Sequence, residues 1–273
     1  LTLLDEFSKK IKKFLPKNTI CIRFDSPIDF ETPSERDEFV KNKFPFGSIQ
    51  KNKVDIQPPD TTVLDLTKSE DEILANMKSK WRYNINLATK KGVVIEKATS
   101  KEIDIFYDLY LETAKRDGIA IHSKKYYQDL LELSEKNESN NSPLVSLYIA
   151  KHENDVLASI ITLFMPYQAV YVYGASCNIK RNLMPAYLLQ WNAIKDAKNF
   201  GSQIYDFYGM PPTDDENHPM HGLYRFKTGF GGKNIHRVGS LDVPISWIYT
   251  PYKIAESLRS FWYKTVKKRL VGR

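Results

Sequence analysis

The sequence predicts a mixed α/β fold, either α+β or α/β with a mixed sheet, and three observations lead to this class. Apolar residues recur every three to four positions over several long segments, of which 103–117 is the clearest, as expected for amphipathic helices. Shorter apolar runs at 144–149 and 156–164 flank the polar turn Glu153-Asn154-Asp155 and predict an antiparallel hairpin. The 273 residues are 42% hydrophobic and 27% charged, which permits a large core. Helices mixed with hairpins argue against a doubly wound parallel sheet.

The first hundred residues are predicted to alternate helices and strands around one long loop. Apolar positions at helical spacing predict a first helix over 3–14. Ser69 and Glu72 form a capping box (S-x-x-E) that opens a second helix, which ends before Gly92. Strands are predicted at 19–24, 61–66 and 93–95, and residues 26–60, rich in Pro, Asp and Lys, are predicted to have little regular structure.

The remaining residues predict a second unit over 99–238, followed by a returning segment. Its helices are predicted at 103–117, 126–133 and 186–199, and its strands at 144–149, 156–164, 169–173 and 203–207. Residues 237–247 are predicted to be extended, and a final basic helix holds Ile254, Leu258, Phe261, Val266 and Leu270.

Charge and cysteine content predict a cytoplasmic protein with polyanionic partners. The net charge of +7 and the pI of about 9.1 favour tRNA, nucleotide diphosphates or anionic lipid. Neither Cys21 nor Cys177 belongs to a C-x-x-C motif, so a reduced compartment is the default. No apolar run approaches the roughly 20 residues of a membrane helix, and the first residues lack the features of a signal peptide. The chain begins at Leu1 rather than Met, as a fragment would.

Searches for common catalytic and cofactor motifs exclude several enzyme classes. There is no G-x-S-x-G nucleophile elbow, no P-loop and no G-x-G-x-x-G fingerprint. Cys177 is interpreted as a buried structural thiol rather than a nucleophile. His218 and His221 are interpreted as loop histidines, because zinc needs three or four ligands and no further cluster stands near. Neither a metal nor a cofactor is predicted.

Cations, aromatic rings and glycines converge near residue 230. Arg225, Phe226 and Lys227 precede the cluster Gly229-Phe-Gly-Gly232, at a point where a strand is predicted to run into a glycine turn. Backbone amides of such turns and basic side chains can both receive anionic oxygens. A tight turn beside a surface charge pair explains the same residues equally well. Tyr171 and Tyr173 end a predicted strand, where tyrosines suit either a binding cleft or a half-buried sheet.

Several segments become specific when their order and spacing are taken together. They are Lys80-Trp-Arg-Tyr-Asn-Ile85, Arg116 with His122-Ser-Lys-Lys-Tyr126-Tyr127, Tyr171-Val-Tyr-Gly-Ala-Ser176, Met184-Pro-Ala-Tyr-Leu-Leu-Gln-Trp191, Tyr205-Asp-Phe-Tyr-Gly209, and Gly222-Leu-Tyr-Arg-Phe-Lys-Thr-Gly-Phe-Gly-Gly232. On these segments the chain resembles the FemABX family of aminoacyl-tRNA-dependent peptidyltransferases, which build the interpeptide bridges of peptidoglycan.

The resemblance implies two acetyltransferase-like (GNAT-like) domains. The first would comprise 1–98 plus 239–273, and the second 99–238. The direct passage from Val94 to Glu102 is similar to the armless, FemX-like members. The family's opening strands, which carry a substrate-contacting lysine, have no counterpart before Leu1, so the first domain is expected to be incomplete. His122 stands where the family often has arginine, and a histidine is a weaker, pH-dependent ligand for phosphate.

The resemblance also implies an activity, its partners and its residues. An amino acid would pass from aminoacyl-tRNA to the stem-peptide amine of UDP-MurNAc-pentapeptide or lipid II, with no cofactor, in a monomeric cytoplasmic enzyme that touches the inner face of the membrane peripherally. The implied catalytic residues are Lys227, as the cation beside the developing oxyanion, and Phe226. Substrate contacts are expected from His122, Tyr126, Tyr171, Tyr173 and Arg225. Candidates for tRNA phosphates are Lys233, Arg237, Lys267, Lys268 and Arg269, for which a solvated basic face is the alternative.

Two other functions compete with this interpretation. The first is a coenzyme-A-dependent N-acyltransferase on the same fold. That chemistry needs a glycine-rich pyrophosphate loop at a helix N-terminus, and the corresponding stretch 177–185 has no glycine. The second is an inactive protein that binds RNA or a lipid surface, against which the complete Arg225-Phe226-Lys227 motif argues.

Overall fold

A computed structural model describes residues 1–137 and 142–262. The chain divides into two compact units. Unit 1 comprises Leu1–Pro59 with Ile235–Arg273, and unit 2 comprises Asp60–Asn234. Both contain helices and β-sheet, so the predicted mixed α/β class is confirmed.

The helices and strands of the described residues are numbered here in chain order. The helices are α1 (Thr2–Ile11), α2 (Pro33–Lys43), α3 (Glu70–Asn76), α4 (Ser79–Lys90), α5 (Ile103–Asp117), α6 (Lys124–Glu135), α7 (Pro185–Phe200), α8 (His221–Thr228) and α9 (Tyr249–Phe261). The strands are β1 (Cys21–Asp25), β2 (Asp29–Phe30), β3 (Gln50–Lys51), β4 (Asp60–Asp65), β5 (Val94–Ala98), β6 (Leu144–His152), β7 (Asp155–Phe164), β8 (Gln168–Ser176), β9 (Ile204–Asp206), β10 (Lys233–Arg237) and β11 (Ser240–Pro244).

Unit 1 is built on a three-stranded antiparallel sheet of order β1–β11–β3. Cys21 faces Pro244 and Asp25 faces Ser240, so the C-terminal part of the chain returns to the N-terminal part. Ile49, Val238, Leu241 and Val243 form its small buried core. The return of residues 237–247 as extended chain was predicted and is confirmed for 240–244, whereas residues 246 and 247 form a bend and a turn.

Helix α2 lies within the segment predicted to have little regular structure, and that prediction is wrong. Thr32 caps the helix through a hydrogen bond from the backbone N–H of Glu35, whose side chain accepts from the Thr32 N–H in return. Pro33 occupies the first helical turn, where its missing N–H costs nothing. The apolar residues of this segment, such as Phe39 and Val40, do not recur at helical spacing, so apolar periodicity alone does not predict the helix.

Unit 2 carries a mixed sheet of order β4–β9–β8–β7–β6–β5. The β8–β9 pair is parallel and the other pairs are antiparallel. His152 faces Asp155 across the predicted turn, which confirms the β6–β7 hairpin. Helix α5 packs on β7 and β8, and α7 packs on β6 and β7 and against α4. Leu147, Leu157, Ile161 and Ala193 are fully buried between them.

The compact units divide the chain at different places from the predicted domains. Residues 60–98 belong to unit 2, because β4 pairs with β9, β5 pairs with β6 and α4 packs on α7. Strand pairing, rather than position along the chain, determines which unit a segment joins. The boundaries of the two GNAT-like domains, 1–98 plus 239–273 and 99–238, stay a prediction.

The helix predicted to run from the Ser69 capping box to Gly92 is interrupted. The capping box itself is confirmed, with Ser69 accepting from the Glu72 N–H and Glu72 accepting from the Ser69 N–H. Met77 is extended, however, and separates α3 from α4. The break leaves the Lys78 N–H to donate to the carbonyl of Gly229 at 2.9 Å.

No helix among residues 1–137 and 142–262 is both long enough and apolar enough to cross a bilayer. The last described helix, α9, begins at Tyr249 and contains Ile254, Leu258 and Phe261, as predicted. Val266 and Leu270 lie outside the described residues.

Candidate active site

The segment that follows β9 contributes three backbone carbonyl groups to the candidate site. Asp206, which is 2% exposed, accepts hydrogen bonds from Thr61 Oγ1 at 2.5 Å, the Tyr208 N–H at 2.7 Å and Gln168 Nε2 at 2.9 Å. Tyr208 has φ of +59°, a conformation that is unfavourable for a bulky side chain. Such strain persists only where the surroundings enforce it, and the carboxylate of Asp206 does so here. The carbonyl groups of 207–209 are thereby turned to one point.

Lys227 supplies the partner for those carbonyl groups. Its Nζ donates to the carbonyl oxygens of Phe207 at 2.6 Å, Gly209 at 2.8 Å and Tyr208 at 3.3 Å. The side chain is 5% exposed, and Nζ lies 5.1 Å from the centroid of the Tyr171 ring. An ammonium group has three donors, so all of them are used within the protein.

Burial lowers the pKa of Lys227 to about 7, while the negative charge of Asp206 acts in the opposite direction. A lysine that titrates near neutral pH is typical of functional sites, although structural networks also produce such shifts. The pKa of Tyr171 is raised to about 12 by burial, so the ring that faces Lys227 stays neutral.

Phe226 and Lys227 belong to a helix, and the prediction of a strand running into the glycine turn is wrong. In α8 neighbouring side chains differ by about 100° in direction rather than alternating between two faces. Lys227 therefore enters the interior, while the half-buried ring of Phe226 packs edge-on against Tyr187 at 5.2 Å and Phe230 at 5.3 Å between ring centroids.

The glycine cluster is explained by close packing. A Cβ at Gly229 would lie 2.2 Å from the Trp81 indole, whose Nε1 donates to the carbonyl of Phe226 at 2.9 Å. Gly231 has φ of +86°, and a Cβ there would lie 2.4 Å from the carbonyl oxygen of Asn76. The N–H groups of Gly229 and Gly231 donate to the last turn of α8. Of the two explanations left open, the structure favours a tight turn over an anion-binding loop.

A second group of predicted residues meets at the start of α6. The ring of His122 stacks on Tyr126, with centroids 4.2 Å apart, and the hydroxyl groups of Tyr126 and Tyr173 lie 3.2 Å apart. The His122 N–H donates to the Tyr127 hydroxyl at 3.0 Å, which fixes the loop ahead of the helix. Burial and the hydrogen bond with Tyr126 raise the pKa of Tyr173. Tyr126 is 44% exposed, so the group opens to solvent.

Strand β8 connects the two groups. Ile161 faces Tyr173 and Thr162 faces Tyr171, so Val172 is an extra residue in β8 and forms a β-bulge. The bulge redirects the chain between Tyr171, beside Lys227, and Tyr173, beside Tyr126. Tyr110 lies 6.2 Å from Tyr173 between ring centroids and extends the aromatic surface. Lys227, Tyr171, Tyr173, Tyr126 and His122 are thus brought into one region of unit 2.

The basic residues predicted to bind substrate or tRNA are distributed more widely. Arg225 is exposed in the last turn of α8. Lys233 is exposed at the start of β10 and lines a cavity of about 270 Å³ with Lys68, Asn76 and the glycine turn. Arg237 belongs to unit 1, where its side chain lies 3.5 Å from Asp29. Lys267, Lys268 and Arg269 lie outside the described residues.

Other candidate chemistry is weakly supported. Burial raises the pKa of the Cys177 thiol, which donates to the carbonyl of Ile179 and is thus a poor nucleophile. His218 lies in a loop, where its Nδ1 accepts from the Met220 N–H at 3.1 Å. His221, however, is the first residue of α8, so its interpretation as a loop histidine is wrong. No group of three or more His, Cys, Asp or Glu residues is placed to hold a metal within the described ranges.

The start of α7 offers little to a pyrophosphate. Met184 caps the helix in a left-handed conformation without a side-chain hydrogen bond, and Pro185, the first helical residue, has no N–H. The N–H groups of Leu183, Met184 and Tyr187 donate to carbonyls of the same turn. Free amides at a helix N-terminus are what a bound pyrophosphate requires, so this geometry disfavours the coenzyme A alternative.

Three residues of the site were not singled out from the sequence. They are Asp206, which accepts from the Tyr208 N–H and holds the segment after β9, Trp81, which supports the glycine turn, and Tyr110, which extends the aromatic surface. Asp206 and Trp81 lie inside segments that carried the family resemblance, and this was the only signal for them. Their roles depend on hydrogen bonds to Thr61 and Phe226, residues far away in the sequence.

Comparisons with known proteins connect the chain with a family of transferases. The FemAB family profile matches residues 37–140 and 132–258. The lipid II:glycine glycyltransferase of Staphylococcus epidermidis is 22% identical over 304 residues, covering 89% of this chain and 72% of that protein. The same enzyme of Staphylococcus haemolyticus is 24% identical over 305 residues, covering 88% and 71%. The prediction of an aminoacyl-transferring enzyme is confirmed by these matches.

Among solved structures, the crystal structure of FemX superimposes with a TM-score of 0.73 at 18% sequence identity, over 92% of this chain and 77% of that one. This agreement shows that the two chains share a fold. The family profile spans most of the chain, and the resemblance inferred from the sequence motifs is confirmed. The chain belongs to the FemAB family.

Proposed function

We propose that the chain is a non-ribosomal peptidyltransferase that moves an amino acid from aminoacyl-tRNA to the side-chain amine of a peptidoglycan stem peptide, in interpeptide bridge synthesis. Its relatives are named for acting on lipid II with glycine. The observation that carries the proposal is the buried ammonium group of Lys227, held beside the tyrosine-lined region of unit 2. Charged tRNA and nucleotide-linked precursors are cytoplasmic, so the protein would act in that compartment, as a monomer.

The reaction needs alignment and charge stabilisation more than a covalent intermediate. The acceptor amine attacks the ester carbonyl of the aminoacyl-tRNA, a C–N bond forms, and the C–O bond to the tRNA ribose breaks. A proton leaves the amine and the ribose oxygen gains one. The tetrahedral intermediate carries an oxyanion, which a fixed cation or hydrogen-bond donor stabilises.

Lys227 is the proposed donor to that oxyanion. Its longest hydrogen bond, 3.3 Å to the carbonyl of Tyr208, is the one that is easiest to exchange for the substrate oxygen. The two shorter bonds, to Phe207 and Gly209, would keep the ammonium in position. A pKa of about 7 leaves a protonated fraction at neutral pH. The packed aromatic ring of Phe226 on α8 would keep water away from this cation.

The stem peptide and its diphosphate are proposed to bind along the surface formed by His122, Tyr126, Tyr173 and Tyr171. Tyrosine hydroxyls can hydrogen-bond peptide and sugar groups while their rings exclude water. His122 would contact the diphosphate through its ring, and the exposed guanidinium of Arg225 would supply a permanent charge. We assign tRNA phosphates to Lys233, Arg237, Lys267, Lys268 and Arg269, in line with the positive net charge.

The experiment is transfer in a purified system. The protein is incubated with bulk aminoacyl-tRNA and, in separate reactions, UDP-MurNAc-pentapeptide or lipid II, and the peptide products are analysed by mass spectrometry. We expect a mass increase of one amino acid on the stem peptide, dependent on charged tRNA. Controls contain deacylated tRNA, or acetyl-CoA in place of tRNA. Acetylation of the amine would favour the coenzyme A alternative, and no product with either donor would favour an inactive binding protein.

A further inference from the structure

The hydroxyl group of Thr61, on β4, lies within reach of two acceptors beside Lys227. Thr61 is fully buried, and its Oγ1 lies 2.5 Å from Oδ1 of Asp206 and 3.1 Å from the carbonyl oxygen of Tyr208. A hydroxyl group has a single hydrogen, so it can donate to only one of these acceptors at a time. The shorter distance to the charged acceptor indicates that the hydroxyl donates to Asp206 in the free protein.

Asp206 can lose this donor and still be satisfied. Its Oδ1 also accepts from the Tyr208 N–H at 2.7 Å, and its Oδ2 accepts from Gln168 Nε2 at 2.9 Å. A buried carboxylate needs such donors, and two of them remain when the Thr61 hydroxyl rotates away. The hydroxyl can therefore move to the Tyr208 carbonyl without leaving a buried polar group unpaired.

The Tyr208 carbonyl is the group that needs a new donor during the proposed reaction. Its bond from Lys227 Nζ, at 3.3 Å, is the longest of the three that hold the ammonium group. When the ammonium turns to the oxyanion, this carbonyl loses that donor, and an unpaired buried carbonyl is costly. Thr61 Oγ1 is placed to donate to it instead.

Asp206 also supplies the negative charge beside Lys227. Its charge opposes the effect of burial, which lowers the pKa of the ammonium group. The two tyrosines nearest to this pair, Tyr171 on β8 and Tyr205 on β9, have pKa values raised by burial, so both rings stay neutral. Arg225, on α8 itself, is exposed to solvent. The charge of Asp206 is thus the one that favours a protonated Lys227.

We propose that Thr61 and Asp206 are positioning residues for Lys227. The carboxylate keeps the ammonium group charged and fixed among the carbonyls of 207–209, and the Thr61 hydroxyl replaces the ammonium at the Tyr208 carbonyl when it turns to the oxyanion. Only hydrogen bonds are exchanged, and no proton changes its owner. This inference rests on the proposed function and deepens it, because both residues act through Lys227 rather than on the substrate.

Asp206→Asn tests the role of the charge. Asparagine keeps the oxygen that accepts from Thr61 and Tyr208, and the half-buried Gln168 can turn its amide so that its oxygen accepts from the new NH₂ group. The titration of Lys227 is followed by NMR in protein whose lysines carry ¹³C at Cε, and the Lys227 signal is identified by its absence from Lys227→Met. We expect its midpoint to move to lower pH, and turnover at neutral pH to fall about threefold to tenfold.

The matched control is Asp196→Asn. Asp196 is a partly buried carboxylate on α7 that accepts from the Tyr148 hydroxyl at 2.7 Å and pairs with Lys97 at 2.8 Å. This variant removes a charge of the same kind elsewhere in unit 2. It should change neither the Lys227 titration nor turnover.

Thr61→Val tests the role of the hydroxyl. Valine has nearly the same size and no hydrogen-bonding group. We expect kcat to fall about threefold to tenfold with little change in KM, as for a hydrogen bond that is needed only in the transition state. Thr61→Ser keeps the hydroxyl and should restore kcat. If Thr61→Val does not fold, Thr61→Ala takes its place with the same expectation.

Three results would overturn the proposal. They are an unchanged Lys227 midpoint in Asp206→Asn, a normal kcat in Thr61→Val, and a Thr61→Ser variant as slow as Thr61→Val, which would make the role of Thr61 one of packing. The NMR titration needs no substrate. A lowered midpoint therefore supports the coupling of Asp206 to Lys227 even if the wild-type chain transfers no amino acid, a result that would contradict the proposed function. Transfer by the wild type together with an unchanged midpoint contradicts this inference alone.

Discussion

Replacement of Lys227 by methionine tests the centre of the proposed site. Methionine keeps the length and most of the apolar stem while it removes the charge. If the ammonium group acts mainly in the transition state, turnover should fall by about 10²–10³, the effect of losing one oxyanion-hole donor, with little change in substrate affinity.

The effect on stability combines two opposing terms. Lowering the pKa of Lys227 from 10.5 to about 7 corresponds to about 5 kcal/mol of burial cost, which the methionine variant avoids. The carbonyl groups of Phe207, Tyr208 and Gly209 lose their donor, at about 1–3 kcal/mol for each one that stays buried. The terms are similar in size, so the free energy of unfolding should change by less than about 3 kcal/mol, and the melting temperature by less than about 10 °C.

The assay is single-turnover transfer from charged tRNA, with thermal melting as the stability measurement. Lys198→Met is the matched control, because the Lys198 ammonium also donates to two backbone carbonyls, those of Leu66 at 2.9 Å and Lys68 at 2.7 Å. That variant should keep its turnover. Near-normal turnover of Lys227→Met would refute a catalytic role, and a large loss of stability in the same variant would make Lys227 a purely structural residue.

The remaining predictions concern pH, substrate affinity and packing. Turnover that needs protonated Lys227 should fall as pH rises through about 7. The pKa of Lys227 in the folded protein lies below the unfolded value of 10.5, so the unfolded chain binds more protons between these two pH values. The free energy of unfolding should therefore rise with pH from about 7 to 10.5. Urea unfolding curves in which Lys227→Met shows the same rise would contradict this. Tyr173→Phe removes a 3.2 Å hydroxyl contact and should raise the KM for the precursor about fivefold to tenfold with little change in kcat, and an unchanged KM would move this residue out of the binding surface. Gly229→Ala places a Cβ 2.2 Å from an indole ring and should lower the free energy of unfolding, measured by calorimetry, by about 1–3 kcal/mol. Gly222→Ala, which has open space around its Cβ, should not lower it. Equal melting temperatures of the two variants would contradict the packing argument.

Elements with strong local signals were predicted correctly from the sequence. The helix at 103–117 was predicted with the bounds that α5 has, because its apolar period is regular and Gly118 adopts the left-handed conformation that ends it. The Ser69–Glu72 capping box was likewise found as predicted. Helix α2 was missed, although Thr32 and Glu35 carry the same capping signal, since that signal was not accompanied by an apolar period.

The candidate site was only partly predictable. Motif spacing identified Lys227, Tyr126 and Tyr173, but it assigned the Lys227 segment to a strand. Alternation over a few residues cannot distinguish a strand from one turn of helix, and the packing of Phe226 and Phe230 decided between them.

By itself, the sequence determined the fold class and the family, and it indicated some of the residues of the candidate site, because these depend on local periodicity and on motif order. Only the tertiary structure decided that Lys227 is buried and triply hydrogen-bonded and that the glycines serve packing. Each of these depends on groups distant in the chain: the carbonyls of 207–209 for Lys227, and the indole of Trp81 for the glycines. Burial and pKa follow from such non-local contacts, which no window of sequence contains.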